Sequence, residues 1–441
     1  MATLDSFGHF APPRETARDL PRLLVLAPRY PYPIIGGDRL RIHHVCEQLA
    51  ERYRLTLLCL CDRADRDSPA PPDGIFESVE RIVLPRWQSR LNCLLALPTR
   101  VPLQLAYYWS KAFERRVAEL APQHDAILCH LIRLAEYALP FDMPRVLEMT
   151  DAISLNYRRV KEIAPRTRLR SLIYGIEQSR LETFEREIVD RFDAAVLVSH
   201  VDRQFLFSDD PSRERKVMVC SNGVDPYELP YQFSAQSSDR IVFIGNTTTL
   251  QNFDGVEWFA REVLPRIRVR RPQAVLEIIG HCGAAERERL GALEAVRVVG
   301  RVESMADAAA GGAVGVCPIR VGAGVQNKLL DYMALGLPSV TTPVGLEGVT
   351  ARPGVEVLLA ESANAMADAV VKLLTDRHRA RVLAEAARDF VERHHRWPAQ
   401  LEPLVERLGQ LLGADTAASR GKKLYAAAPL GARTDHATRT H

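Results

Sequence analysis

The sequence predicts an α/β protein built from two doubly wound, Rossmann-like domains that face a cleft. Three observations predict it. Short continuous apolar runs alternate with segments of helical apolar spacing. The alternation stops at a polar, proline-containing stretch and begins again beyond it. The length of 441 residues exceeds what one hydrophobic core supports.

The first apolar run is Arg22–Ala27, continuous in the manner of a strand buried on both faces. A Pro/Gly-rich turn from Pro28 to Gly37 leads into Arg39–Arg52, whose apolar positions 42, 45, 46 and 49 recur at helical spacing. Leu55–Leu60 follows, and strand, helix, strand within about 40 residues is a right-handed βαβ unit. Further strands are expected at Arg81–Leu84, Asp125–Cys129, Arg145–Glu148, Asp193–Val198 and Lys216–Cys220, with a helix over Arg168–Arg191. The second series comprises Arg240–Gly245, a helix over Trp258–Val269, Val275–Gly280, Val296–Gly300, Val314–Pro318, a helix after Gly324, and Ser339–Thr342. Ser362–Gln410 is helical, with Trp397-Pro398 breaking or kinking it.

The chain therefore divides into a polar leader (1–21), a first domain (22–225), a linker (226–239), a second domain (240–395), a C-terminal helix crossing back to the first domain (396–413) and a patternless, disordered tail (414–441). No apolar run approaches the roughly 18 residues of a membrane span. Basic and acidic residues number 58 and 55, a balance without the electrostatic footprint of a nucleic-acid binder. The eight cysteines form no C-x-x-C pair and several lie in strand-like runs, which reads as buried free thiols in a reducing compartment. The leader has no apolar signal region, so the expected location is cytoplasmic, with the inner face of the membrane as a second possibility.

One segment carries chemistry. Val314 to Thr342 reads as strand, glycine loop, helix, strand. Gly322 and Gly324 let backbone approach a ligand, and the amides of Val325, Gln326 and Asn327 open a helix whose N-terminus is an anion site. Arg320 ends the strand side and Lys328 lies in the first helical turn, so two cations flank the place where a diphosphate would sit. Asp331, three residues on, is placed to accept both hydroxyls of a ribose. The competing reading of Lys328 and Asp331 is a solvated intrahelical pair. Gly336 supplies the helix C-cap and Pro338 prevents continuation. Neither the dinucleotide fingerprint nor the P-loop is met.

This segment resembles the donor-site signature of the family 4 glycosyltransferases, P-x-R-x-G-x-G-x-x-x-K-x-x-E-A-M-A-x-G-x-P-V-V. Gly36-Gly37, Phe192–Ser199, Ser221-Asn-Gly-Val-Asp225, Phe243-Ile-Gly245-Asn and Asn252–Phe259 are similar to the same family, most of all to sugar transferases of exopolysaccharide and PEP-CTERM exosortase systems. The resemblance implies a GT-B fold. It also implies transfer from a nucleotide-diphospho-sugar with retention, no metal and no cofactor, and an acceptor that is a glycan or lipid-linked sugar. Gly245 joins the donor-side residues. Two departures stand out: Ala323 replaces the first carboxylate of the E-x7-E signature, and the Arg and Lys expected after the second domain's first strand are replaced by Asn246–Asn252.

On the acceptor side, Gly36, Gly37 and Asp38 follow the first strand at the carboxyl edge, where ligands bind, or form a plain tight turn. His130 ends a strand at the position where the family places a histidine against the transferred sugar; a structural histidine is the alternative. Asp151 is similarly placed, with a helix N-cap as an equal explanation. Of His43 and His44, one ring is expected to pack and the other to be solvated. Arg86–Arg100 mixes basic, aromatic and leucine residues and reads as an ordinary packed helix or as a peripheral contact with an anionic bilayer. Competing functions are a sugar-nucleotide epimerase of the same fold and a non-catalytic sugar-nucleotide-binding partner of a polysaccharide assembly.

Overall fold

A computed structural model describes residues 20–69, 71, 73–163, 168–234 and 238–413. The expected leader, up to residue 19, and the tail from 414 lie outside the described residues. The first sheet contains β1 (Arg22–Ala27), β2 (Arg54–Cys61), β3 (Phe76–Val83), β4 (Ala126–His130), β5 (Arg145–Thr150), β6 (Ala194–Leu197) and β7 (Val217–Val219), ordered β3-β2-β1-β4-β5-β6-β7. The second contains β8 (Arg240–Ile244), β9 (Val275–Ile279), β10 (Val296–Gly300), β11 (Val314–Cys317), β12 (Ser339–Thr341) and β13 (Leu358–Leu359), ordered β10-β9-β8-β11-β12-β13. Every pairing is parallel. The order reverses between β1 and β4 and between β8 and β11, and at such switch points the carboxyl ends of the strands open a crevice for ligand.

Four helices matter below: α1 (Gly37–Ala50), α2 (Arg86–Ala96), α3 (Asn327–Leu335) and α4 (Trp397–Leu411). The continuous apolar runs became central strands because both of their faces are covered; all of β4, for example, is buried. The expectations erred where that rule weakens. β3 is an edge strand and begins at Phe76, before the apolar Arg81–Leu84 run, because only part of its surface is covered. β13, two residues at an edge of the second sheet, carries too little sequence to be read. The helix expected from Trp258 begins at Leu250 and passes through a π turn at Phe259–Val263. Pro265 follows that turn and has no N–H for an α-helical bond.

α4 crosses back. Trp397, Leu401, Leu404 and Leu408 pack with Leu23, Val25, Val45 and Leu49 in one core of the first domain. The helix before it ends at His394, and Pro398 sits in the first turn of α4, where no amide donor is needed. The Trp397 ring stacks on His44 at 4.5 Å. His43 is edge-on to Tyr32 and His44 with its side chain only 12% exposed, so neither ring is solvated, contrary to expectation. A second correction concerns α2: only Ser89 and Ala96 of its residues are buried, so it is not an ordinary packed helix. All eight cysteines are free, six of them buried.

Candidate functional site

The loop from Pro318 to Gln326 joins β11 to α3 at the carboxyl edge of the second sheet. Gly322 and Gly324 hold φ of 153° and 71°, the region that favours glycine. No side chain caps the start of α3, so its first amides remain available to an anion. Gly336 closes the helix in left-handed conformation, as the sequence predicts.

Lys328, in that first turn, is 8% exposed. Its ammonium donates to Oε1 of Gln326 at 2.9 Å and stands 5.8 Å from the Phe243 ring. Among the described residues it forms no ion pair with a carboxylate. Burial pulls its pKa below that of an ordinary lysine, and burial pushes Asp331, one turn on, up to about 7 against the pull of Lys328. A solvated pair, the bland reading of these two residues, is thus not what forms. Gly245 follows β8 beside the same ring: a Cβ there would stand 3.1 Å from Phe243.

Arg320 departs from expectation. It makes a bidentate pair with Asp254, Nε to Oδ2 at 2.9 Å and Nη2 to Oδ1 at 2.6 Å, and lies 5.4 Å from the Trp258 ring. Its charge is already matched by a carboxylate from the helix Leu250–Trp258, a partner the expected boundary had left out of the helix. In the Asn246–Asn252 segment, Asn252 donates to the Asn246 carbonyl, and the loop folds on itself without supplying a cation.

Across the cleft, Gly36 (φ 102°) and Gly37 open α1. A Cβ on Gly37 would lie 3.5 Å from the Asn327 carboxamide nitrogen, which places the two loops face to face. Asp38 is paired with Arg29 at 3.1 Å. One turn into α1, Arg41 is wholly buried and donates Nε to Glu148 at 2.7 Å and Nη1 to Oδ1 of Asn222 at 2.9 Å. The Asn222 amide donates to Oδ1 of Asn327 at 2.6 Å.

His130, the last residue of β4, is in register with Glu148 of the adjacent parallel strand β5, which brings their side chains to the same face. Nδ1 of His130 lies 2.6 Å from Oε2 of Glu148. Burial alone would raise the Glu148 pKa, but Arg41 and His130 hold it down to about 2. An ionised carboxylate only accepts, so Nδ1 carries the proton and donates, which fixes the ring and turns Nε2 away from Glu148. Leu131 and Thr150, beside these two residues, have positive φ of 66° and 67°. Such strain in non-glycine residues persists where surrounding structure fixes it, commonly at functional sites. Arg41, Glu148 and Asn222 were not singled out from the sequence; a charged residue inside an apolar helix or strand was the available signal.

Asp151 is not a helix N-cap. The amides of Ile153 and Ser154 donate to Glu185, and that of Ala152 to Asp202. Asp151 instead faces the glycine loop: a Cβ on Gly324 would be 3.1 Å from its Cβ. Burial, with the nearby charge of Asp202, pushes its pKa up to about 7. Arg159 donates to the Gly322 carbonyl at 2.5 Å and pairs with Glu347 at 2.8 Å, so the first domain grips the glycine loop from two sides. His43, His44 and Glu47 place ligand atoms within 4.8 Å of one another, but they adjoin Trp397 and Tyr32 rather than the cleft.

Residues 238–376 match the family described as Glycosyl transferases group 1. An uncharacterised 44.6 kDa protein from the cps region of Klebsiella pneumoniae is 21% identical over 360 residues, covering 77% of this chain and 87% of its own. The architecture is similar to sucrose-phosphate synthase from Thermosynechococcus elongatus, with TM-score 0.67, 18% identity, and 90% of this chain and 100% of that one covered. It is also similar to Anabaena HepE in complex with UDP, with TM-score 0.63, 14% identity, and 88% and 100% covered. The trehalose 6-phosphate synthase of Burkholderia multivorans matches at TM-score 0.61, 16% identity, and 90% and 100% covered.

Proposed function

We propose that this chain, a GT-B protein whose second domain belongs to the group 1 glycosyl transferases, moves a sugar from a nucleotide-diphospho-sugar to an acceptor hydroxyl in the cleft. The observation that carries the reading is Lys328: a buried ammonium at the uncapped start of α3, with a neutral glutamine as its hydrogen-bond partner. A diphosphate there matches that charge and meets the helix amides. Asp331 suits the ribose hydroxyls. The UDP complex of HepE supports a nucleotide donor of this class.

In this reading the acceptor oxygen bonds to the anomeric carbon, with retention, as the bond to the diphosphate oxygen breaks and the acceptor's proton passes to the leaving diphosphate. Charge developing on the leaving diphosphate is stabilised by Lys328 and the helix dipole, groups fixed before reaction. Arg320, matched by Asp254, contributes less. His130, oriented by Glu148, offers Nε2 to a sugar hydroxyl, and Asp151 offers a carboxyl beside the glycine loop. No metal is required by this scheme. The glycan product and its capsule or exopolysaccharide setting extend the reading through the cps-region relative.

Thermal shift combined with hydrolysis and transfer assays across UDP-, GDP- and dTDP-sugars tests it. One donor should stabilise the protein and be turned over. Stabilisation without turnover would leave a sugar-nucleotide-binding partner, and release of free nucleotide with an epimerised sugar would favour the epimerase. No shift with any donor would sink the donor site itself.

A further inference from the structure

The surface of α2 is apolar and basic. Trp87, Leu94 and Leu95 are 65%, 62% and 67% exposed, with Leu91, Leu97 and Trp109 also exposed. Apolar side chains of this size, grouped on one helix and the turn after it, mark an interaction surface in a soluble domain. Residues 81–113 contain no Asp or Glu but carry Arg81, Arg86, Arg90, Arg100 and Lys111. Arg86 reaches Asp62 at 3.2 Å, with both side chains exposed, so that pair offsets little. Arg90 and Arg100 are exposed and have no ion-pair partner among the described residues.

The position of this surface matters as much as its chemistry. α2 follows the carboxyl end of β3, on the edge of the sheet that also carries His130 and Gly36. The helix Leu103–Tyr107 after it is tied to the cleft through Gln104, which accepts from Arg133 at 3.1 Å and donates to Tyr157 at 3.2 Å. Arg133 lies in the turn just past His130.

We infer that this surface docks on an anionic lipid bilayer, with Trp87, Leu91, Leu94 and Leu95 entering the headgroup–acyl boundary and the arginines meeting lipid phosphates. The charge argues against a second copy as the occupant, since self-association would press two basic faces together, with Arg90 and Arg100 unpaired among the described residues of each. Docked this way, the acceptor side of the cleft opens beside the membrane, which suits an acceptor carried on a lipid. That last step rests on the transferase reading; the bilayer contact does not.

Flotation of the full chain with phosphatidylcholine vesicles, with and without phosphatidylglycerol, tests the contact. Binding to the anionic vesicles is expected, weakened by salt and reduced about tenfold or more in Leu94→Glu/Leu95→Glu. Arg90→Glu/Arg100→Glu should lose the preference for phosphatidylglycerol. Absence of flotation with anionic vesicles, or flotation indifferent to Leu94→Glu/Leu95→Glu, would overturn the proposal. So would a wild-type dimer in light scattering that this variant dissolves. The largest thermal shift produced by UDP, GDP or dTDP, measured on the same proteins, reports the donor site separately. It should survive in both variants, and its absence from wild type would count against the transferase reading alone.

Discussion

Nδ2 of Asn222, in the first domain, donates to Oδ1 of Asn327, the first residue of α3 in the second, at 2.6 Å. Asn222 also receives Arg41, which binds Glu148, which binds His130. One run of hydrogen bonds thus links the acceptor-side histidine to the helix end assigned to the diphosphate. Asn222→Asp keeps an acceptor for Arg41 and removes the donor to Asn327. It should lower kcat/KM about tenfold, near 1.4 kcal/mol, with the melting temperature little changed. Asn222→Ala should lose melting temperature as well. Equal turnover in wild type and Asn222→Asp would show that the bond does not serve the reaction.

Glu148 joins His130 to Arg41 in that run and is fully buried against a fully buried Arg41. Glu148→Gln leaves the guanidinium without its counter-charge, and breaking a buried pair costs about 3–5 kcal/mol. The pH dependence has a definite sign. A carboxyl whose pKa falls from 4.5 to about 2 on folding contributes stability that is full above pH 4.5 and lost as pH falls toward 2. Denaturant titrations of wild type and Glu148→Gln should therefore differ most near neutrality and converge in acid. A constant gap across that range would mean that the charge is not what stabilises.

Lys328 and Arg320 looked equivalent as sequence and are not equivalent as structure. Lys328→Ala should lower kcat by about a hundredfold or more, the scale of removing one preorganised charge-stabilising donor. Arg320→Ala should cost less, because Asp254 already matches its charge. Asp254→Asn should release Arg320 and tighten UDP binding in calorimetry. If Arg320→Ala proved the more damaging variant, the ranking drawn from these ion pairs would be wrong.

The fold was legible because central parallel strands are covered on both faces and so write themselves as uninterrupted apolar runs; Leu23, Val25 and Leu26 are wholly buried. Edge strands obey no such rule, which is why β3 was misplaced and β13 missed. The glycine loop was legible for a local reason: Gly322, Gly324, Lys328 and Asp331 lie within ten consecutive positions of the chain. The partners of Arg320, His130 and Asp151 were not, because each comes from a distant part of the chain. Glu148 lies 18 residues from His130 and Arg41 lies 107 from Glu148, and only sheet register and helix packing bring them together. Charges inside apolar elements, Arg41 in α1 and Glu148 in β5, were the one visible trace of that network.

Ala323 gives the sharpest test of how this site differs from the pattern it resembles. The side chain packs against the core of the first domain, and the next residue, Gly324, has Asp151 against it. The Gly324 amide also lies toward Asp202, and Glu347 pairs with Arg159 over the same loop. Three carboxyl groups already border this loop, and burial holds Asp151 and Asp202 above their ordinary pKa values. Restoring an acid by Ala323→Glu would add a fourth, so it should lower kcat/KM by about tenfold rather than improve it, through like-charge repulsion and displaced packing. Asp151→Asn alone should also lose activity, since that carboxyl faces the donor loop. If Asp151 supplies from the first domain the carboxylate that position 323 lacks, the double variant Ala323→Glu/Asp151→Asn should be more active than either single one. A double-mutant cycle on kcat/KM measures this, and strictly additive losses would show that the two positions do not share a role.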